Sequence, residues 1–260
     1  MKTNIFKRTI TLMLMLVLLS TNSIIASGNN LSPTPTPSPR LGNENEVNFA
    51  PFSNTNTGGA LEATQEQMNY WAGQERMNPR MSALETEIVP FSTWHNLHPF
   101  THFAQTAHNG NSNTCGIASV RMVHQWFRGW TPTQAQIINS PEVTLHPTGT
   151  YLSDLVRYLN NNGVFPYAAV FRANQSTMTS RLTSSLRSFN APPIIGLNGR
   201  TDQGFPRNTG NHFVVSYSVL GNGLEFALAD PAGQGSLRWY DVTAANLFRA
   251  YDNVNIGFAW

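Results

Sequence analysis

The stretch QTAHNGNSNTCGIASVRMVHQWFRGW, residues 105–130, contains the residues around which the predicted fold and site are arranged. It contains Cys115, the only cysteine in the sequence, between an Asn/Gly-rich segment and an amphipathic pattern. The apolar residues of that pattern are Val120, Val123, Trp126 and Phe127. Their spacing predicts a helix that begins near Cys115, with Asn113 and Thr114 as candidate N-caps.

A cysteine in the first helical turn has two possible meanings. Unpaired backbone N–H groups and the positive end of the helix dipole favour a thiolate there, which is the nucleophilic form. Free cysteines are also among the most buried residues, and an inert core thiol fits the same stretch. These two interpretations stay open until the rest of the chain is considered.

The N-terminus is typical of a secretory signal peptide, predicted over residues 1–27. Basic residues Lys2, Lys7 and Arg8 precede an almost unbroken apolar run, and small residues follow it. An uncleaved anchor is the alternative, but the run is shorter than the roughly 20 residues of a stable span. We therefore expect a secreted or cell-surface protein with no stable membrane span after signal removal.

Export limits what Cys115 can do. An exported chain with one cysteine cannot form an internal disulfide, so the thiol is either inert or kept for chemistry. The net charge is +2, charged residues make up 12% of the chain, and no basic block is present. This composition indicates no nucleic-acid partner.

Composition divides the remaining chain into three parts. Residues 28–60 begin with a Pro/Thr-rich spacer and continue with Asn, Glu and Gly, which predicts a disordered linker. Residues 61–87 contain a weak helical pattern and are either a pro-segment that covers a cleft or an N-terminal extension of the fold. Residues 88–260 form the main domain, which begins with an extended segment at 88–91.

Within the main domain, helical patterns come first and strand patterns follow. Helices are predicted at 133–139, 150–162, 175–189 and 244–249, and strands at 167–171, 193–197, 212–220, 224–229, 236–240 and 255–260. This order predicts an α+β fold in which the Cys115 helix packs on a C-terminal antiparallel sheet.

The predicted hairpin supplies a base and a group to orient it. A thiol nucleophile needs both. His212 opens one strand, and the turn at residues 221–223 returns the chain along the next strand to Asp230. The antiparallel return predicts that Asp230 lies close to His212. Taken singly, each could equally be a surface or turn residue, but together with Cys115 they favour a catalytic set.

Other histidines are weaker candidates. His108 lies in the loop before the nucleophile, and His124 lies more than about 10 Å along the helix from Cys115. His95, His98 and His102 have a spacing that could suggest a metal site. Pro99 interrupts that spacing and no acidic or thiol ligand completes it, so we interpret these three as loop and surface residues and predict no metal and no cofactor.

The ordered set of motifs resembles the papain-like cysteine peptidases related to the bacteriocin-leader-processing peptidases. The matching pieces are Gln105, TCGIASVRMV at Cys115, GNHFVVSYSV at His212, ADPAGQG at Asp230, and RWYDVTAANLFRAY. The resemblance implies a papain-like fold, with Cys115 as nucleophile, His212 as base and Asp230 as its orienter.

By the same resemblance, Gln105 and the Cys115 backbone N–H would stabilise the oxyanion. Gln105 lies 10 residues before Cys115, so Asn111 or Asn113 are alternatives for that role. The transporter domains of the true leader peptidases are absent from this sequence, so a role in bacteriocin maturation does not carry over.

The sequence thus predicts a secreted bacterial thiol hydrolase, monomeric, that cleaves peptide bonds of a peptide or protein substrate through an acyl-enzyme. One alternative is a transpeptidase, deamidase or cell-wall amidase on the same fold. Another is a secreted binding module without activity, which would not need the full Cys, His and Asp set.

Overall fold

The computed structural model describes residues 58–76 and 93–260. The predicted signal peptide, the linker as far as residue 57 and the extended segment at 88–91 lie outside the described residues. So does the predicted domain boundary at residue 88. In the described part of the chain, no helix is long and apolar enough to cross a bilayer.

The described helices follow the predicted pattern closely. They are α1 (Gln65–Arg76), α2 (Cys115–Arg128), α3 (Gln134–Ile138), α4 (Leu152–Asn161), α5 (Gln175–Phe189) and α6 (Ala244–Asp252). Helix α2 begins at Cys115 and ends at Arg128, and the left-handed backbone of Gly129 closes it. Helix α5 has the predicted bounds, and its Asn174 side chain caps the Thr177 backbone N–H.

The main sheet is antiparallel at every pairing described. Its strands are β2 (Trp94–Asn96), β4 (Ala169–Val170), β5 (Ile194–Gly199), β6 (Gly210–Leu220), β7 (Glu225–Ala229), β8 (Trp239–Thr243) and β9 (Phe258–Ala259). Their order is β4-β9-β5-β6-β7-β8, and β2 pairs with the end of β6. Two further short strands, β1 (Ala60–Leu61) and β3 (Thr150–Tyr151), pair in parallel.

The prediction of an α+β fold is confirmed, with α2 packed on the antiparallel sheet. Buried apolar residues of α2 and β6 meet in one core, among them Ile117, Val120, Phe213 and Val215. Gly116 allows the closest approach, because a Cβ there would lie 2.4 Å from Oγ1 of Thr150. The start of α2 is therefore pressed against β3 and β6, where the predicted site lies.

The strand predicted at residues 236–240 was wrong in its position. A 3₁₀ turn covers Gly235–Arg238, and the strand follows at β8. The register explains the shift, because Ala229 pairs with Trp239 and Glu225 with Thr243.

Two further local predictions were wrong near residues 60 and 150. The disordered linker was extended too far, since Ala60 is buried and pairs with Thr150. Thr150 and Tyr151 form β3 rather than the first residues of α4. Both errors have the same physical cause, because the β1–β3 pairing joins segments that are distant in the sequence.

Leu155 tests the packing beneath the site. Its side chain is fully buried on α4 and lies beside the start of α2. Leu155→Ala should lower the free energy of unfolding by about 2–5 kcal/mol, since it leaves a cavity. In thermal unfolding we expect a Tm lower by roughly 5–15 °C.

Leu237→Ala is the matched control, because that side chain is 42% exposed. It should change the free energy of unfolding by no more than about 0.5 kcal/mol. Equal effects of the two substitutions would contradict the packing described for α4.

Candidate active site

Cys115 lies at the start of α2 with no solvent exposure. The backbone N–H of Phe213, on β6, donates to its Sγ over 3.5 Å. Thr114 is the N-cap residue of α2, as predicted, but neither its side chain nor that of Asn113 makes a capping hydrogen bond. The Thr114 hydroxyl donates to the Thr106 carbonyl, and the Asn113 amide donates to the Pro147 carbonyl. These bonds hold the loop before the helix, so neither side chain caps the first N–H groups of α2.

His212 lies beside the thiol on β6. Its pairing with Leu197 of β5 fixes its position in the sheet, and only 2% of its surface is exposed. Nε2 of His212 donates to Oδ1 of Asp230 over 2.7 Å. The His212 ring also interacts electrostatically with Cys115. Because Nε2 is bonded to Asp230, Nδ1 is the ring nitrogen left for the thiol.

Asp230 follows β7 directly and is fully buried. Besides His212, its carboxylate accepts the backbone N–H of Ala232 at 2.9 Å and Nη2 of Arg207 at 2.8 and 3.0 Å. The Tyr240 hydroxyl donates to Oδ2 from 3.5 Å. A buried carboxylate is stable only when it is paired and hydrogen-bonded, and these four groups meet that requirement.

The charges of the site set its protonation. Burial alone lowers the pKa of His212, but the Asp230 carboxylate and Cys115 outweigh it and raise that pKa to about 9. Burial alone raises the pKa of Asp230, but the charge and hydrogen bond of His212, with Arg207 and the Ala232 N–H, hold it well below its usual range. At neutral pH the pair is therefore imidazolium and carboxylate.

The contribution of Arg207 to the site was missed from the sequence. It belongs to the polar loop between β5 and β6, and its side chain is 28% exposed where it contacts Asp230. Burial and the Asp230 charge raise the pKa of Tyr240 well above its usual value, so Tyr240 contacts Asp230 as a hydrogen-bond donor. No local pattern marks either residue, because both reach Asp230 through the tertiary fold.

His102 corrects the interpretation of the three N-terminal histidines. It is buried rather than on the surface, and its Nε2 donates to the Asp230 carbonyl oxygen over 2.8 Å. His95 lies in β2, paired with Val219 of β6, and of the three only His98 is exposed. In residues 58–76 and 93–260, no three His, Cys, Asp or Glu side chains lie together as metal ligands.

The competing bases make other contacts. Nδ1 of His124 donates to the Trp130 carbonyl oxygen at 2.9 Å, and its ring packs on Trp130. His108 pairs with Asn111 through the backbone at the turn of the preceding loop. The His124 bond holds the end of α2 and the His108 bond holds the loop before it, whereas His212 lies beside the thiol.

Gln105 is buried beside the loop that leads to Cys115. Its backbone N–H donates to the Pro231 carbonyl, and its Nε2 donates to the Ser112 carbonyl over 2.9 Å. Its buried Oε1 accepts no hydrogen bond from the described part of the chain. The structure thus places Gln105 near the nucleophile loop and the Asp230 turn, but the contacts described do not join its side chain to Cys115 or His212.

Comparisons with known proteins show no family for this chain and only a distant structural similarity. No protein-family model matches the chain, and no curated protein matches it. Among solved structures it is similar to UfSP from C. elegans, with a TM-score of 0.42 and 14% identity. That similarity covers 70% of this chain and 35% of the other, so this chain spans about a third of the length of UfSP. We therefore base the proposed chemistry on the site itself.

The chemistry available to this site follows from its three side chains. A thiol that interacts with an imidazole, which is itself hydrogen-bonded to a carboxylate, has the parts of a nucleophile, a base and an orienting group. The start of α2 adds backbone N–H groups and the positive end of a helix dipole beside the thiol. Such groups can stabilise an oxygen that becomes negatively charged during reaction.

The Asp230–His212 pair predicts a pH dependence of stability. The pKa of His212 is near 9 in the folded protein and about 6.5 when unfolded. Its contribution is fully present below about pH 6.5 and is lost as the pH rises through 9. The free energy of unfolding, measured by urea denaturation, should therefore fall between pH 7 and 10, by on the order of 3 kcal/mol from this group.

Asp230→Asn should flatten that fall and lower stability at pH 7, because Arg207 and His212 lose the carboxylate. Asp202→Asn is the control, since its ion pair with Arg200 is exposed on both sides. If Asp230→Asn and wild type lose the same free energy between pH 7 and 10, the pairing described is contradicted.

Proposed function

We propose that this chain is a papain-like thiol hydrolase that cleaves peptide bonds through Cys115, His212 and Asp230. The observation that carries the proposal is the 2.7 Å bond from His212 Nε2 to Asp230, combined with the electrostatic interaction of the same ring with Cys115. Each side chain comes from a different element, and all three are buried together. A core cysteine would need neither partner.

Acylation uses the thiol and the imidazole together. At neutral pH the proton of the Cys115 thiol already lies on the His212 ring, so Sγ attacks the carbonyl carbon of the peptide bond as the thiolate of an ion pair with the imidazolium. The new oxyanion accepts from the Cys115 backbone N–H and from the Gln105 amide. The C–N bond then breaks, His212 gives its proton to the leaving amine, and the acyl group stays on Sγ as a thioester.

Deacylation reverses the roles. A water molecule gives a proton to His212 and attacks the thioester carbonyl. The C–S bond breaks, the carboxylic acid product leaves, and Cys115 is left as a thiolate beside the His212 imidazolium, which keeps the proton taken from the water. Asp230 keeps the ring oriented and stabilises its charged form in both steps, while Arg207 and Ala232 hold Asp230 in place.

Location and partner rest on the N-terminal sequence. The proposal places the protein outside the cell or on its surface, where it would act on a peptide or protein substrate. That placement depends on the signal peptide predicted over residues 1–27.

Substitution of the catalytic set tests the reaction. With casein and a peptide library as substrates, Cys115→Ser and His212→Ala should each lower kcat/KM by about 10³-fold or more, since they remove the nucleophile or its base. His108→Ala is the matched control, because His108 lies in the loop before α2 and contacts neither. It should keep wild-type rates.

Two outcomes of that experiment would contradict the proposal. Unchanged rates in His212→Ala would exclude His212 as the base. Intact casein and peptides together with consumption of cell-wall fragments, or with release of ammonia from side-chain amides, would identify a different acyl-transfer reaction.

Gln105 can be tested separately from its loop. Gln105→Ala should lower kcat by about 10²–10³-fold with little change in KM, as expected for loss of one oxyanion donor. Gln134→Ala is the structural control, since Gln134 holds the same loop through two hydrogen bonds to Thr106. Equal losses of kcat in both variants would mean that Gln105 acts only by supporting the loop.

A further inference from the structure

A short segment of the chain's own N-terminal part lies against the residues that precede Cys115 and His212. We call residues 58–61 the strap. The Gly59 carbonyl accepts the Thr150 backbone N–H over 2.9 Å, and the next two residues pair in parallel with β3. Gly59 and Ala60 are buried. The strap is therefore bound as an added strand, through its backbone.

The strap is enclosed by the two backbone segments that carry the catalytic pair. A Cβ on Gly58 would lie 1.6 Å from the carbonyl oxygen of Asn211, the residue directly before His212. A Cβ on Gly59 would lie 2.6 Å from the carbonyl carbon of Asn113, two residues before Cys115. These are backbone atoms, which cannot swing aside as a side chain can.

Gly149 lies against a third side of the strap, at an equally short distance. Gly149 has φ +130°, and a Cβ there would lie 1.8 Å from the Gly59 carbonyl oxygen. Only glycine suits that backbone and that clearance. Glycines on both sides of the contact thus let the strap reach β3.

The low solvent exposure of Cys115 and His212 agrees with a site that the strap covers. Cys115 has no exposure and His212 has 2%. A cavity of about 790 Å³ lies beside the strap, and its lining includes strap residues together with Asn198, Arg200 and Asn211. The cavity therefore adjoins the residue before His212 and ends at the strap.

Residues on the C-terminal side of the strap attach it to the main fold. The Ala63 backbone N–H donates to the Asn255 carbonyl at 2.6 Å, and Gln67 of α1 donates to Ser153 of α4 over 2.9 Å. The Trp71 side chain of α1 is buried as well. Helix α1 can stay docked when the strap moves away, because the two-residue β1–β3 pairing is separate from these contacts.

We propose that the strap occupies the channel through which a substrate backbone reaches Cys115, and that it holds the protein in a self-blocked form. This inference rests on the proposed function for the identity of what is blocked. A bound strap and an extended peptide substrate would compete for the same backbone contacts. Release of the strap would join the 790 Å³ cavity to the thiol.

The test adds the two missing methyl groups to the strap in the full chain. Gly58→Ala combined with Gly59→Ala should displace the strap and raise the rate of Cys115 labelling by biotin-iodoacetamide by roughly tenfold or more. Hydrolysis of casein should rise by a similar factor. Gly73→Ala is the matched control in α1, where a Cβ meets nothing within 4 Å, and it should keep both rates.

A peptide added in trans gives a second, independent measurement. The peptide GGALEAT, residues 58–64, should restore slow labelling to the double variant, whereas the same peptide with alanine at its first two positions should not. Circular dichroism and the Tm of the double variant should stay close to wild type, which separates strap release from unfolding.

The results distinguish the strap from the proposed function. Unchanged labelling in the double variant, or no competition by the peptide, overturns the proposal that the strap blocks the site. Faster labelling without cleavage of any peptide bond supports the strap and contradicts the peptidase. Cleavage of casein by wild type and double variant at equal rates supports the peptidase and overturns the strap.

Discussion

The hydrogen bond between His212 and the buried carboxylate of Asp230 is the interaction on which the site depends. A carboxylate without solvent exposure loses its hydration, and only paired charges and hydrogen bonds can replace it. Those partners come from β6, the β5–β6 loop, the turn after β7, and β8. Because the fold must bring all of them together, the protonation of His212 beside Cys115 is a property of the whole sheet.

The sheet sets the positions of the proposed catalytic groups through its register. Strand β7 pairs with β6 only as far as Val215 and Ala229, so Asp230 lies just beyond the ladder, near His212. A bulge between Ser216 and Ser218 shifts this register by one residue. On its other side, β6 is held by β5, and α2 packs the thiol against the backbone of Phe213. The result is a thiol, an imidazole and a carboxylate that lie together, with the strap against the residues that precede Cys115 and His212.

Short-range sequence patterns predicted the helices and the hairpin, because these elements depend on interactions between residues close in the sequence. Helical spacing indicated α2 and α5, and the turn at residues 221–223 between two apolar runs indicated the β6–β7 hairpin and hence the approach of Asp230 to His212. Contacts between distant segments could not be predicted in this way. Arg207 and His102 reach Asp230 across 23 and 128 residues, and Thr114 donates to Thr106 rather than capping α2. The glycines of the strap resembled linker residues because their role lies in clearances that only the fold creates.

Asp230 holds His212 as a charged, oriented imidazolium beside Cys115. The most direct measurement is nitrogen-15 NMR of the His212 ring in the full chain at pH 7.5, with the signal assigned by its loss in His212→Asn. We predict that both ring nitrogens carry protons and that the ring titrates near pH 9, with the Nε2 proton protected from exchange. A neutral ring at pH 7.5 that titrates near its ordinary value of about 6.5 would contradict this claim.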